Sequence, residues 1–148
     1  MAPPSVNDPA LIRSLLTEPA TWAVVGLSAN RARAASAIAA WLHSQRGMRI
    51  VPVHPHADTV GGQTGYASLA DVPEGPVRVV DCFVNSRRVG AVVDDAIAER
   101  DRLGIEALWL QLGVIDDAAA ARALAAGIAV VMDTCPKIEW PKVLGTVR

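Results

Sequence analysis

The segment best suited to chemistry is the turn Gly26-Leu27-Ser28-Ala29-Asn30, which follows the apolar run Trp22-Ala23-Val24-Val25 and opens a helical pattern. A helix entrance of this kind offers unpaired amides and the positive end of a dipole, which suits a phosphate. Ser28 and Asn30 add side-chain donors, and Arg31 and Arg33 add positive charge close by. A dinucleotide fingerprint, G-x-G-x-x-G, would have glycines where Ser28 and Arg31 stand, so only its first glycine is met. Ordinary capping of a strand-to-helix turn uses the same residue types. The next apolar run ends in Val51-Pro52-Val53-His54-Pro55, with no carboxylate before Asp58. A nicotinamide dinucleotide site has an acidic residue there to hold the ribose. The pattern therefore favours an adenine nucleotide held mainly by phosphate and apolar contacts.

Other reactive side chains read as structural. His54 and His56 flank a proline without a further ligand cluster, short of a four-ligand zinc site, and fit histidines lining the adenine side of a loop. Cys135 precedes Pro136 with no histidine motif beside it, so a structural thiol is the simpler reading than a nucleophile. Cys82 and Cys135 lie near strands two positions apart, about 10 Å, beyond the roughly 7 Å reach of a disulfide. Trp22, Trp41, Trp109 and Trp140 read as core, with Trp140 placed to cover a neighbouring subunit. Asp94-Asp95 fits a solvated helix face, and Asp116-Asp117 a helix N-terminus. Glu139 with Lys137 and Lys142 reads as an exposed ionic group worth about 0–1 kcal/mol.

These residues need a scaffold, and alternating patterns supply one. Asp8 followed by Pro9 starts a short N-terminal helix carrying Leu11, Ile12, Leu15 and Leu16, within a segment of residues 1–20 that packs on the main body. Strands are expected at residues 22–26, 49–53, 77–83, 107–112 and 128–132, with an abbreviated edge strand at 63–66. Between them run helices marked by Ala35, Ile38, Ala39 and Leu42, by Val89, Val92, Val93, Ala96 and Ile97, and by residues 117–126. Gly47, Gly104 and Gly127 stand where helices end in a left-handed residue. Strands alternating with helices give an α/β, doubly wound, mostly parallel sheet of order 3-2-1-4-5-6, its third strand short, with helices on both faces. The topological switch point then falls between residues 26–33 and 83–88, where Arg87 and Arg88 join Arg31 and Arg33.

Composition sets the outer limits. A chain of 148 residues is about one domain, here residues 1–148, with 134–148 as a C-terminal tail. With 51% hydrophobic and 20% charged residues it has the makings of a core, which excludes disorder. Fourteen basic against fifteen acidic residues leave a net charge of −1, without the basic footprint of a nucleic-acid binder. Two cysteines do not make a disulfide scaffold. No apolar run approaches the roughly 20 residues of a membrane span, and Met1-Ala2-Pro3-Pro4-Ser5 is unlike a signal peptide. A soluble, reduced, cytoplasmic protein is expected.

Five segments in order carry a family likeness: Trp22-Ala23-Val24-Val25-Gly26-Leu27-Ser28, Pro52-Val53-His54-Pro55, Tyr66-Ala67-Ser68-Leu69-Ala70-Asp71, Trp109-Leu110-Gln111-Leu112-Gly113 and Val131-Met132-Asp133-Thr134-Cys135-Pro136-Lys137-Ile138-Glu139. The likeness they carry covers roughly residues 22–141. The chain resembles the small stand-alone CoA-binding proteins, similar to the CoA-binding domain of the succinyl-CoA synthetase alpha subunit. The resemblance implies a Rossmann-like fold and a site for coenzyme A or a short acyl-CoA. Gly26, Leu27 and Ser28 would face the pyrophosphate, while Asn30, Arg31 and Arg33 would hold phosphates. His54 and Tyr66 would border the adenine or ribose, and Val84, Asn85 and Arg87 would lie across the crevice. The pantetheine arm would run toward Gln111, Gly113 and Cys135. The family commonly has asparagine where His54 stands and arginine where this chain has Val84; Asn85, Arg87 and Arg88 are nearest to replace that arginine. Binding without catalysis is the expected role, since the related ligases need a phosphohistidine relay and an ATP-grasp domain. The alternatives are a nucleotide-linked enzyme or redox sensor, NAD(P) included, and an accessory subunit of an acyl-CoA ligase docking through residues 140–148. A homodimer or an acyl-CoA-handling enzyme is the expected partner.

Overall fold

Five short, largely apolar runs pair side by side in parallel, joined by helices except between the second and third, where a loop makes the connection. They are β1 (Thr21–Val25), β2 (Arg49–Val53), β3 (Val79–Cys82), β4 (Ala107–Leu110) and β5 (Ala129–Val131). The sheet runs β2-β1-β3-β4-β5 and every pairing is parallel. Val25 stands opposite both Val53 and Cys82, so the carboxyl ends of three neighbouring strands finish level. The structure, a computed structural model, describes residues 5–145. Pro3 and Pro4 of the opening segment, and residues 146–148 of the expected docking strip, lie outside them.

The helices divide between the two faces as a doubly wound sheet requires. On one face lie α1 (Pro9–Thr17), α2 (Ala34–Arg46) and α5 (Pro136–Gly145), burying Leu15, Leu16, Ile38, Leu42 and Val143 over Trp22, Val24 and Trp109. On the other lie α3 (Ser86–Leu103) and α4 (Asp117–Ala125), burying Val89, Val93 and Ala120 over Ala23, Val80 and Leu108. Asp8 accepts the Ala10 amide at 3.1 Å with Pro9 in the first turn, as expected for α1. Gly47 ends α2 at φ +71, a conformation a Cβ would disfavour. Asn7 covers the outer edge of β5: its side-chain amide bonds Met132 N–H and C=O at 2.7 and 2.9 Å, doing the work of a neighbouring strand.

Two expectations are corrected. Residues 63–66 form no strand. Tyr66 makes a single parallel bridge to Val53, while Val60 and Gln63 bond each other across a small hairpin. The loop doubles back too tightly to extend, since a Cβ on Gly65 would stand 2.0 Å from the Asp58 carbonyl oxygen. The order expected from sequence holds once this strand is removed. The segment after residue 134 is also not a tail. The Cys135 carbonyl accepts the Ile138 and Glu139 amides and starts α5, which continues through Pro141. Trp140, half-buried, lies under the Arg46 guanidinium at 3.6 Å.

Candidate functional site

The crevice floor is set by Gly26. Its φ is +100, and a Cβ there would meet the Phe83 carbonyl oxygen at 2.4 Å, so only glycine lets the turn after β1 lie against the loop after β3. Gly26 N–H donates to Val53 at 2.7 Å and Phe83 N–H to Val25 at 2.8 Å. The carboxyl ends of β2, β1 and β3 are thereby bound into one rim, where a switch point belongs.

The turn itself is a row of amides, part of them occupied. Those of Leu27, Ser28 and Arg31 make no hydrogen bond among the described residues. Asn30 N–H donates to Ser28 Oγ at 3.3 Å, and Ala32 N–H to Asn30 Oδ1 at 3.0 Å. Ala29 N–H donates to Asp58 Oδ2 at 2.9 Å, a contact from the loop after β2. Helix α2 begins only at Ala34, so its dipole acts from Arg33 onward and not from Ser28, a correction to the expected geometry. Leu27 turns its side chain into the core, which leaves only its main chain at the turn. Arg31 and Arg33 are exposed, and their guanidinium groups have no partner among the described residues.

His54 and Tyr66 do come together across the bridge to β2, where His54 N–H donates to the Tyr66 carbonyl at 3.0 Å. His54 Nδ1 accepts the His56 amide at 3.1 Å, and the two rings meet edge to face at 4.6 Å. Among the described residues no three His, Cys, Asp or Glu side chains gather as a metal would need. Tyr66 and Val84 both pack against the core on the α3 face. Asn85 caps α3 by accepting the Arg88 amide at 3.0 Å, so its oxygen serves the helix. Arg87 and Arg88 project from the first turn of α3, across the sheet from α2.

The far end of the rim is closed by its own side chains. Ser86 Oγ bonds the Gly113 carbonyl at 3.3 Å and the Ile115 amide at 3.0 Å, and Asp133 Oδ1 accepts the Gly113 amide at 2.8 Å. Gln111, expected along a pantetheine path, is buried and donates to Asp81 Oδ1 at 2.6 Å. Asp81 is the residue that sequence reasoning passed over. It sits inside β3, fully buried, with Oδ2 unpartnered, and burial pushes its carboxyl up to about 7 against the pull of Gln111. Its signal was a lone carboxylate within an apolar run. Burial also raises the half-buried Cys135 thiol, against the amides of Lys137 and Ile138 that lower it, which suits a structural role. Glu139, expected to be exposed, is buried and accepts Thr134 Oγ1 at 2.6 Å and Lys142 Nζ at 3.1 Å.

A cleft of about 610 Å³ opens beside the turn, between α2 and the loop after β2. Leu27, Ala29, Arg31, Ser36, Val60 and Gln63 line it, whereas His54, Tyr66, Val84 and Asn85 do not. In open parallel sheets ligands bind at such a switch point. A family model described as a CoA binding domain matches residues 20–141. The chain belongs to this family. It is 30% identical over 129 residues to the protein YneT of Bacillus subtilis (strain 168), covering 87% of this chain and 91% of that one. It is similar to a solved protein of Pyrococcus horikoshii OT3, with a TM-score of 0.82 at 28% identity over 98% of this chain and 100% of the other. It is also similar to part of acetyl-coenzyme A synthetase 1 of Ca. Korarchaeum cryptofilum, with a TM-score of 0.69 at 25% identity. That likeness covers 81% of this chain but 27% of the larger enzyme. No helix among the described residues is long and apolar enough to cross a membrane.

Proposed function

We propose that the protein binds coenzyme A or a short acyl-CoA at the crevice between the turn after β1 and the loop after β3, without catalysing a reaction on it. The observation that carries this reading is the turn itself: the amides of Leu27, Ser28 and Arg31 are unpartnered, beside two arginines with free guanidinium groups. Main-chain amides and guanidinium groups are the donors a diphosphate selects. Two or three such contacts, each worth about 1.5–3 kcal/mol, suffice for affinity on a protein of near-zero net charge. His54 and Tyr66 would flank the nucleoside, with Val84 and Arg87 across from them.

The way the polar groups are spent supports the reading of binding without chemistry. His54 Nδ1 is committed to the His56 amide, Gln111 to Asp81, Asn85 to the cap of α3, and Cys135 carries a raised thiol. Two free cysteines on opposite faces of the sheet suit a reducing, cytoplasmic setting. Calorimetry with CoA, acetyl-CoA and NADH tests the reading, and NADH binding more tightly than CoA would reverse it. Ser28→Glu, which sets a negative charge where the phosphate belongs, is expected to weaken CoA at least about tenfold, or 1.4 kcal/mol. Unchanged affinity in a folded variant would remove the turn from the site.

A further inference from the structure

We propose that Asp58 is a built-in competitor for the ligand's phosphate: its carboxylate sits on the Ala29 amide and must leave before a diphosphate can be held there. The inference rests on the CoA reading above and names the residue that tunes that site. Three observations carry it. The contact joins residues 29 positions apart, at 2.9 Å, so it is a tie between two loops and no local turn. The amides of Leu27, Ser28 and Arg31 on the same turn are unpartnered, so a carboxylate oxygen already stands among donors suited to an anion. The chain is also bent to deliver it. Ala57 adopts φ +52, a left-handed conformation that alanine disfavours, and Gly65 packs so closely on the Asp58 carbonyl that no side chain would fit.

The loop carrying Asp58 is held at its ends and light in its middle. The Tyr66 bridge fixes its return to β2, and the hairpin between Val60 and Gln63 leaves Gly61 and Gly62 exposed at its tip. Arg31 lines the cleft beneath this hairpin yet makes no ion pair with Asp58, so its charge is available to an incoming phosphate. Binding thus exchanges one anion for another at Ala29. Asp58 sets how anionic a ligand must be to win: a diphosphate with several oxygens displaces one carboxylate, and a weakly charged ligand does not.

Calorimetry with CoA compares the natural protein with Asp58→Ala, Asp58→Asn and the remote exposed control Asp101→Asn. Asp58→Ala is expected to bind about threefold to tenfold more tightly, the worth of one competing hydrogen bond. Asp58→Asn should fall between, because its amide oxygen still accepts from Ala29 without the charge, and Asp101→Asn should leave affinity unchanged. Equal or weaker binding by Asp58→Ala, with CoA still bound by the natural protein, overturns the competitor and leaves the CoA reading standing. No CoA binding by any of the four defeats the CoA reading and the competitor with it. A measurement on the natural protein covers a variant that fails to fold. At saturation with CoA, the side-chain carboxyl carbon of Asp58 and the amide of Ala29 should both shift in nuclear magnetic resonance spectra. A carboxyl carbon that does not move while CoA is bound refutes the exchange.

Discussion

Asp81 makes stability depend on pH in a direction opposite to that of most carboxylates. Its side chain is fully buried on β3, with Gln111 Nε2 on one oxygen at 2.6 Å and nothing on the other. Burial raises its carboxyl from 3.8 to about 7. The folded chain therefore holds this proton more tightly than the unfolded chain does. The contribution to stability is complete below about pH 4 and drains away as pH rises through 7. A difference of about three pH units at 1.36 kcal/mol each makes the loss ~4 kcal/mol. Asp81→Asn removes the ionisation. Its oxygen still serves Gln111, while its NH2 group takes the place of Oδ2 with no acceptor, at a cost of about 1–3 kcal/mol. The variant should be less stable than the natural protein by that amount near pH 4 and more stable by about 1–3 kcal/mol near pH 9. Urea unfolding followed by the fluorescence of the buried Trp22 and Trp109 measures both curves, and subtracting them cancels every other titrating group. A difference that stays constant across the range would refute the reasoning.

Three further substitutions test the packing around the site. Gly26→Ala forces a Cβ to within 2.4 Å of the Phe83 carbonyl at φ +100, and about 2–4 kcal/mol of stability should be lost; an unchanged urea midpoint would mean the loop after β3 gives way freely. Thr134→Val strips the buried Glu139 of its 2.6 Å hydrogen bond and should cost about 1–3 kcal/mol. Lys142→Met should cost only about 0–1 kcal/mol, since that ammonium is largely exposed; equal losses would contradict the assignment of Thr134 as the main partner.

The sheet was legible because its signals are periodic and local. Trp22 to Val25 and Ala107 to Leu110 are uninterrupted apolar runs, and Ala35, Ile38, Ala39 and Leu42 mark one helix face, so strands, helices and parallel order follow from spacing alone. What escaped depends on contacts between distant residues. Gln63-Thr64-Gly65-Tyr66 has enough β character for an edge strand, but the backbone of Gly65 against Asp58 folds it back. The C-terminal helix carries two prolines, and Pro136 sits in its first turn, where the missing N–H costs nothing. At the proposed site, Gly26 and the neighbouring turn stand out in the sequence itself, and His54 and Tyr66 enter only by family likeness. The tie from Asp58 to Ala29 could not, because nothing in spacing tells a carboxylate which of several loops it will reach.

These ties also determine where motion can occur when a ligand enters. The loops after β3, β4 and β5 are fastened by Ser86 to Gly113 and Ile115, and by Asp133 to Gly113. The turn after β1 is fastened to the loop after β2 by the Ala29–Asp58 hydrogen bond. A nucleotide bound as proposed would lie between these two groups of loops. The Ala29–Asp58 bond and a phosphate contact on the same amide are both charge-assisted, about 1.5–3 kcal/mol each, so exchanging one for the other costs little net. The ligand can break the first tie and has no comparable means of breaking the three on the other side. Rearrangement should therefore be confined to residues 54–66, with the α3 side acting as a fixed wall against which the nucleotide is held.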